Sequence, residues 1–304
     1  MKPLVSVICI SYQHQPFINE AINSLFAQTY DKVELIVLDD ASSDGSGELL
    51  KDLFKEKEHQ LIIHTKNKGY TKTFNEGLAL AKGEFIIDFA LDDVMHPEFI
   101  EKSVEAFTDE SIGVVFSNAD YIDQDSKHLA NHTEELIRNK MIKSVPEGDV
   151  FEWMLRRYFV CTPTMMIRRE VFDRLGGYDE SLAYEDLDFW IRSSRIWHYK
   201  YVDEVLFKKR KLETSMSSQR HMHHYNEQMS SVYLVCEKAF QLCRSKNEFD
   251  ALWERLNYEY RQCVKYNAEN LADKYVAFLA YTRGQLTLKS RLYRWYKRKF
   301  RVIR

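Results

Sequence analysis

The chain is poor in the residues and runs that would assign it quickly. Its five cysteines, Cys9, Cys161, Cys236, Cys243 and Cys263, are an odd number without CxxC spacing. That argues against a disulfide framework and for a reducing compartment. The opening apolar run, residues 4–10, is too short for a signal peptide and reads as a buried strand. No uninterrupted apolar segment approaches the length that spans a bilayer, so a cytoplasmic location is expected. The net charge is only −3, so no excess of one sign argues for a nucleic-acid partner. After the first apolar run, Ser11-Tyr12-Gln13-His14-Gln15-Pro16 contains no glycine, which removes the fingerprint of a dinucleotide-dependent oxidoreductase. Beyond residue 218 there is no proline and a single glycine. No internal repeat or low-complexity tract is present.

What remains is an ordinary globular composition, 45% hydrophobic and 29% charged, in a chain of 304 residues that can bury a substantial core. Short apolar runs at residues 4–10, 33–38, 61–64 and 84–90 alternate with helical patterns. The first of these follows Pro16, with Phe17, Ile18, Ala21, Ile22, Leu25 and Phe26 at helical spacing. Continuous apolar strands between amphipathic helices predict an α/β fold with a mostly parallel central sheet covered on both faces. From residue 111 the pattern is mixed. Residues 112–116 and 165–167 read as strands, 123–146 as a long polar loop or lid, 185–196 as a helix and 199–207 as extended. After residue 218 the signal is helical almost throughout. The expected division is a nucleotide-binding domain over 1–217 and a helical region over 218–304.

Three acidic clusters stand out: Asp39-Asp40, Asp92-Asp93, and Glu185-Asp186 with Asp188. The first two follow strands, and parallel α/β sheets bind ligands beyond the carboxyl ends of their strands. Paired carboxylates there suit a hard divalent cation that bridges to substrate phosphates. Helix capping or turn formation is the plainer role for any one pair. Two pairs at equivalent strand ends, with a third cluster downstream, favour the functional role.

Further segments carry a resemblance. Val5-Ser6-Val7-Ile8-Cys9-Ile10-Ser11-Tyr12, Ile22-Asn23-Ser24-Leu25-Phe26-Ala27-Gln28-Thr29-Tyr30 and Glu34-Leu35-Ile36-Val37-Leu38-Asp39-Asp40-Ala41-Ser42-Ser43-Asp44-Gly45-Ser46 resemble the family 2 glycosyltransferases. The likeness continues through Asn67-Lys68-Gly69, Asn75-Glu76-Gly77, Ala81-Lys82-Gly83-Glu84-Phe85-Ile86 and Leu91-Asp92-Asp93, with Pro97 following. It ends with Leu175-Gly176-Gly177-Tyr178-Asp179-Glu180 and Glu185-Asp186-Leu187-Asp188-Phe189-Trp190, so it covers roughly residues 3–217. Each motif alone is weak; their order and spacing together are specific.

The resemblance implies a GT-A type sandwich and an inverting transfer from a nucleotide-sugar, a UDP-sugar by expectation, to a hydroxyl of a glycan or lipid-linked glycan in polysaccharide biosynthesis. It implies that Ser11 and Tyr12 contact the base, with Tyr12 stacked on it, and that Asp40 or its neighbour Asp39 accepts a hydrogen bond from uracil. Asp92 and Asp93 would hold ribose and a Mn2+ or Mg2+ ion, Asp93 being the direct ligand. Asp186 would be the general base, supported by Glu185. Two positions depart from the family pattern. Ala90 stands where many members have the first Asp of Asp-x-Asp-Asp, with Asp88 a candidate substitute on the same side of the strand. Leu212 stands where many carry a His; His221, His223 and His224 follow, and read as surface residues. These departures leave open a non-catalytic nucleotide-sugar or glycan-binding protein of the same fold.

In the tail, Leu288, Leu292, Trp295, Tyr296, Phe300 and Ile303 recur at helical spacing among Lys289, Arg291, Arg294, Lys297, Arg298, Lys299, Arg301 and Arg304. A cationic amphipathic helix of this kind suits the anionic inner face of a membrane, through residues 286–304. A terminal helix packed on its own domain, or on the second subunit of a homodimer, fits the same pattern. No recognition motif supports nucleic acid.

Overall fold

The computed structural model describes residues 2–55, 59–212, 225–282 and 284–300. The chain forms two compact units. One comprises Met1–Val150, Phe159–Glu180 and Ile196–Glu213; the other comprises Phe151–Tyr158, Ser181–Arg195 and Thr214–Arg304. The boundary thus runs differently from a single cut at residue 217, because two internal segments group with the C-terminal helices.

The first unit is a nine-stranded mixed sheet flanked by helices. β1 (Val5–Ser11), β2 (Val33–Asp39), β3 (Gln60–Ile63) and β4 (Phe85–Ala90) form a parallel block in the order β3-β2-β1-β4. β8 (Met165–Arg168) joins β4 antiparallel. The sheet then continues through β6 (Ile112–Ile122) and β9 (His198–Arg210) to β5 (Val94–Met95), with β7 (His128–Asn131) paired to β6. β1 is buried along its whole length, as expected of a strand covered on both faces.

Helices α1 (Ile18–Phe26), α2 (Ser46–Phe54), α3 (Tyr70–Leu80) and α4 (Phe99–Glu105) alternate with these strands. α1 turns Ile18, Ala21, Ile22 and Leu25 inward, and a fully buried Ile or Leu of this kind contributes about 1.5–3 kcal/mol. Gly77 lets α3 approach β1 closely: a Cβ there would lie 2.5 Å from Ile8 Cγ2 and 3.0 Å from Leu38 Cδ1.

The segment 123–146 is not a long loop. It holds β7 and helix α5 (His132–Arg138). Asn131 caps α5, its Oδ1 accepting the Glu134 N–H at 3.1 Å, with Glu134 and Glu135 in the first turn. Both elements are short, and β7 is largely exposed, so neither leaves an apolar period in the sequence.

The second unit contains α6 (Phe151–Arg156), α8 (Glu185–Ser194), α9 (Tyr225–Leu242), α10 (Lys246–Lys265), α11 (Glu269–Tyr281) and α12 (Leu288–Phe300); α7 (Arg169–Leu175) belongs to the first. Its internal segments are held by side chains. The buried Arg255 of α10 donates to the Met154 and Leu155 carbonyls, satisfying the C-terminal end of α6. The buried Asp188 of α8 accepts from Arg192 at 2.6 Å and from Lys238 of α9 at 2.8 Å. A capping box between Ser245 and Glu248 starts α10.

Candidate active site

The strand register aligns the carboxyl ends of β1, β2 and β4. Ser11 lies beside Asp39 and Ile10 beside Ala90. The Asp40 N–H donates to Ser11 O, and the Leu91 N–H to Ile10 O, both at 2.9 Å. Ser11, Tyr12, Asp39, Asp40, Asp92 and Asp93 therefore share one edge of the first unit, where such sheets bind ligands.

Asp39 and Asp40 are buried and their carboxylates are engaged. Asp39 accepts the Ser42 N–H at 2.9 Å and the Ser42 hydroxyl at 2.6 Å. Ser42 Oγ in turn accepts the Gln13 N–H at 2.9 Å. Ser46 Oγ accepts the His14 N–H, and Asp44 the Gln15 N–H. The Asp39-to-Ser46 motif thereby laces the loop after β2 to the loop after β1. Asp40 accepts from His64 Nδ1 at 2.8 Å and from the backbone N–H groups of Lys68 and Gly69 at 2.8 and 2.9 Å. Burial works against its ionisation, but these donors outweigh it and hold the carboxyl below its usual range. Asn67-Lys68-Gly69 is thus a carboxylate cradle that fixes the loop before α3.

The turn from β4 to β5 carries Asp92 and Asp93. Asp93 is 4% exposed, and its Oδ1 accepts the Arg210 N–H at 2.7 Å. Burial, then the neighbouring Asp92 charge, push the Asp93 carboxyl well above its usual range. His14 Nε2 lies 3.9 Å from Asp92 Oδ1. Two polar atoms at this edge are buried without a hydrogen-bond partner, Ser11 Oγ and His14 Nδ1. Among the described residues no three His, Cys, Asp or Glu side chains converge as a complete metal cage. Asp93, whose burial resists ionisation, together with Asp92 and the imidazole beside it, instead fits a divalent cation completed by substrate phosphate oxygens.

Arg210 and His14 escape a reading of motifs. Arg210 closes β9 and is 2% exposed. Its guanidinium donates to the carbonyls of Asp92, Asp123 and Gln124, to Ser126 Oγ, and to Glu20 at 2.6 Å, and it stacks on Phe17. No local signal marks it, because the groups it bonds lie far away in the chain. Asp88, on the strand face of Ala90, accepts the hydroxyls of Tyr70 at 2.6 Å and Tyr178 at 3.2 Å. Asn75 holds the segment that carries Tyr178: its Oδ1 accepts the Tyr178 N–H, and its Nδ2 donates to Tyr178 O and Glu180.

Tyr12 is 46% exposed at the end of β1. Glu185 and Asp186 lie in the second unit, in the first turn of α8, Glu185 buried and Asp186 half-buried. Leu212 follows β9 directly; His221, His223 and His224 lie outside the described residues.

The architecture is that of a GT-A fold followed by a helical region. A sequence model described as "Glycosyl transferase family 2" matches residues 6–176, and the chain belongs to that family. It is 29% identical over 212 residues to an uncharacterized glycosyltransferase of Rickettsia typhi, covering 69% of this chain and 64% of the relative. An uncharacterized glycosyltransferase of Methanocaldococcus jannaschii is 28% identical over 216 residues, covering 69% of this chain and 71% of that one. The match thus spans less than two thirds of the rickettsial relative. Among solved structures, Staphylococcus aureus TarS in complex with UDP-GlcNAc is similar with a TM-score of 0.70 at 15% identity, covering 94% of this chain and 82% of that one. The mannosyltransferase PcManGT of Pyrobaculum calidifontis, in complex with GDP-Man and Mn2+, has a TM-score of 0.64 at 16% identity, covering 98% and 84%.

Proposed function

We propose that the chain is a metal-dependent, inverting glycosyltransferase that moves a sugar from a nucleotide-sugar, in our reading a UDP-sugar, to a hydroxyl of a glycan or lipid-linked glycan in polysaccharide biosynthesis. The observation that carries this reading is the strand-end edge where Asp92 and Asp93 meet the unpartnered Ser11 Oγ and His14 Nδ1. The relatives' family and the nucleotide-sugars bound by the two structural neighbours support it.

In this reading Ser11 and Tyr12 take the base, Tyr12 by stacking its exposed ring on it. Asp40 or its neighbour Asp39 accepts a hydrogen bond from the base N–H. Asp93, with Asp92, holds Mn2+ or Mg2+, which when bound supplies Lewis-acid stabilisation of the diphosphate leaving group. Asp186, supported by Glu185, removes the acceptor hydroxyl's proton as its oxygen attacks the anomeric carbon. The bond from that carbon to the diphosphate oxygen breaks on the opposite face, so the anomeric centre inverts. The chain works at the inner face of a membrane, beside its lipid-linked acceptor.

One observation favours a second reading. Ala90 removes a carboxylate, and Asp88 on the same face is engaged by Tyr70 and Tyr178, so a binding protein without turnover has a structural basis. Nucleoside diphosphate release from a panel of nucleotide-sugars, with and without Mn2+, separates the two. Release from one donor that needs metal and disappears in Asp93→Ala is the expected result. Donor binding with no release under any condition, even with glycan acceptors added, sinks the transferase reading.

A further inference from the structure

Helix α12 answers which way the cationic tail faces. Ser290 is fully buried: its Oγ bonds Asn257 Oδ1 at 3.0 Å and accepts from Arg261 at 3.0 Å. The Thr287 N–H donates to Asn257 Oδ1 at 2.8 Å, and Arg294 pairs with Asp273 at 3.0 Å. These contacts seat α12 by its polar side. Leu288, Leu292 and Trp295, spaced i, i+4 and i+7 along one helical face, are 73%, 55% and 59% exposed. A terminal helix packed on its own unit would turn this row inward; here it is turned outward.

Charge accompanies the row. Lys289 and Arg291 beside it are exposed. Residues 286–304 carry eight Lys or Arg and no Asp or Glu, in a chain whose net charge is −3. We propose that this face of α12 is a docking surface for an anionic lipid bilayer. The leucines and tryptophan enter the boundary between headgroups and acyl chains, and the cations meet lipid phosphates. Among the described residues no helix is long and apolar enough to cross a membrane, so the contact is with the surface. A second copy of the chain is a poor occupant, because it would set the exposed Lys289 and Arg291 of one copy against those of the other. A nucleic-acid duplex would engage the cations and leave the Leu-Leu-Trp row in water. The inference names the surface behind the membrane placement proposed above. It is independent of the transfer chemistry, so the two fail separately.

The test is co-sedimentation of the full chain with phosphatidylcholine vesicles, with and without phosphatidylglycerol, at low and high salt. Its variant is Leu292→Glu/Trp295→Glu, with circular dichroism as the control for folding. Both side chains are exposed, so the fold should persist. The expected result is binding about tenfold or more tighter to the anionic vesicles, weakened by salt and lost in the variant. Equal partition onto both vesicle types, or binding unaffected by the variant, overturns the proposal. So does a wild-type dimer that the variant converts to monomer without vesicles, or DNA binding tighter than vesicle binding.

Discussion

The backbone N–H of Arg210 donates to Asp93 Oδ1 across 2.7 Å, although 117 residues separate the two. The guanidinium of the same residue reaches the Asp92 carbonyl and Glu20 of α1. One buried arginine therefore sets the turn that carries both candidate metal ligands. Replacing Arg210 by Met leaves the Asp92 and Asp123 carbonyls and Glu20 without their donor, and is expected to cost about 1–3 kcal/mol in urea unfolding. The positioning role predicts more: the Mn2+ concentration for half-maximal donor turnover should rise in Arg210→Lys, whose point charge cannot reproduce the fork. A stability loss with an unchanged Mn2+ requirement would restrict Arg210 to the fold.

Ser42 joins Asp39 to the Gln13 N–H. Ser42→Ala removes one donor and one acceptor from this junction, with an expected cost of about 1–3 kcal/mol. Because the junction shapes the donor edge and touches no reacting atom, KM for the donor should rise while kcat changes little. Steady-state kinetics with saturating acceptor would show it. An equal fall in kcat would place the loop closer to the chemistry.

Gly77 is a packing test. Its missing Cβ would sit 2.5 Å from Ile8 Cγ2, so Gly77→Ala gains helix propensity yet overpacks α3 against β1. Overpacking is expected to win, with a net loss of about 1–3 kcal/mol. A stabilised variant in thermal melts would show that α3 is less tightly seated.

His132 predicts a pH dependence. Its Nε2–H donates to the Phe159 carbonyl at 3.1 Å and its Nδ1 accepts from Tyr121 at 2.7 Å, so the neutral ring is fully bonded. Burial holds it below its ordinary value of 6.5. Above that value its contribution is fully present. As pH falls through it, the unfolded chain binds a proton that the folded chain refuses, and stability drops until the folded value is passed. Urea midpoints should fall from about pH 7 to about pH 5, and less steeply in His132→Gln. Equal slopes would assign the acid sensitivity elsewhere.

The parts of this site that could be read from the chain are local ones. A β-branched run followed by Asp-Asp places carboxylates at a strand end without any knowledge of their neighbours, and the structure puts both pairs at one edge. Asn131 and Glu134 were also a local signal, a cap before a helix, hidden because the segment lacks an apolar stripe. The role of Arg210 was not legible, since Glu20 and Asp92 are 190 and 118 residues away. The grouping of 151–158 and 181–195 with the C-terminal helices was equally hidden. It depends on Arg255 meeting carbonyls about 100 residues distant and on Lys238 meeting Asp188. Buried charges that fasten remote elements leave no period in a sequence.

The most direct measurement of the central claim compares Asp186→Asn with wild type, reading donor binding by calorimetry and sugar transfer by product formation. The account predicts unchanged donor affinity with Mn2+ and a rate lower by about 10²–10⁴-fold, the range of a lost general base. Transfer at the wild-type rate in Asp186→Asn, with donor binding intact, would contradict it.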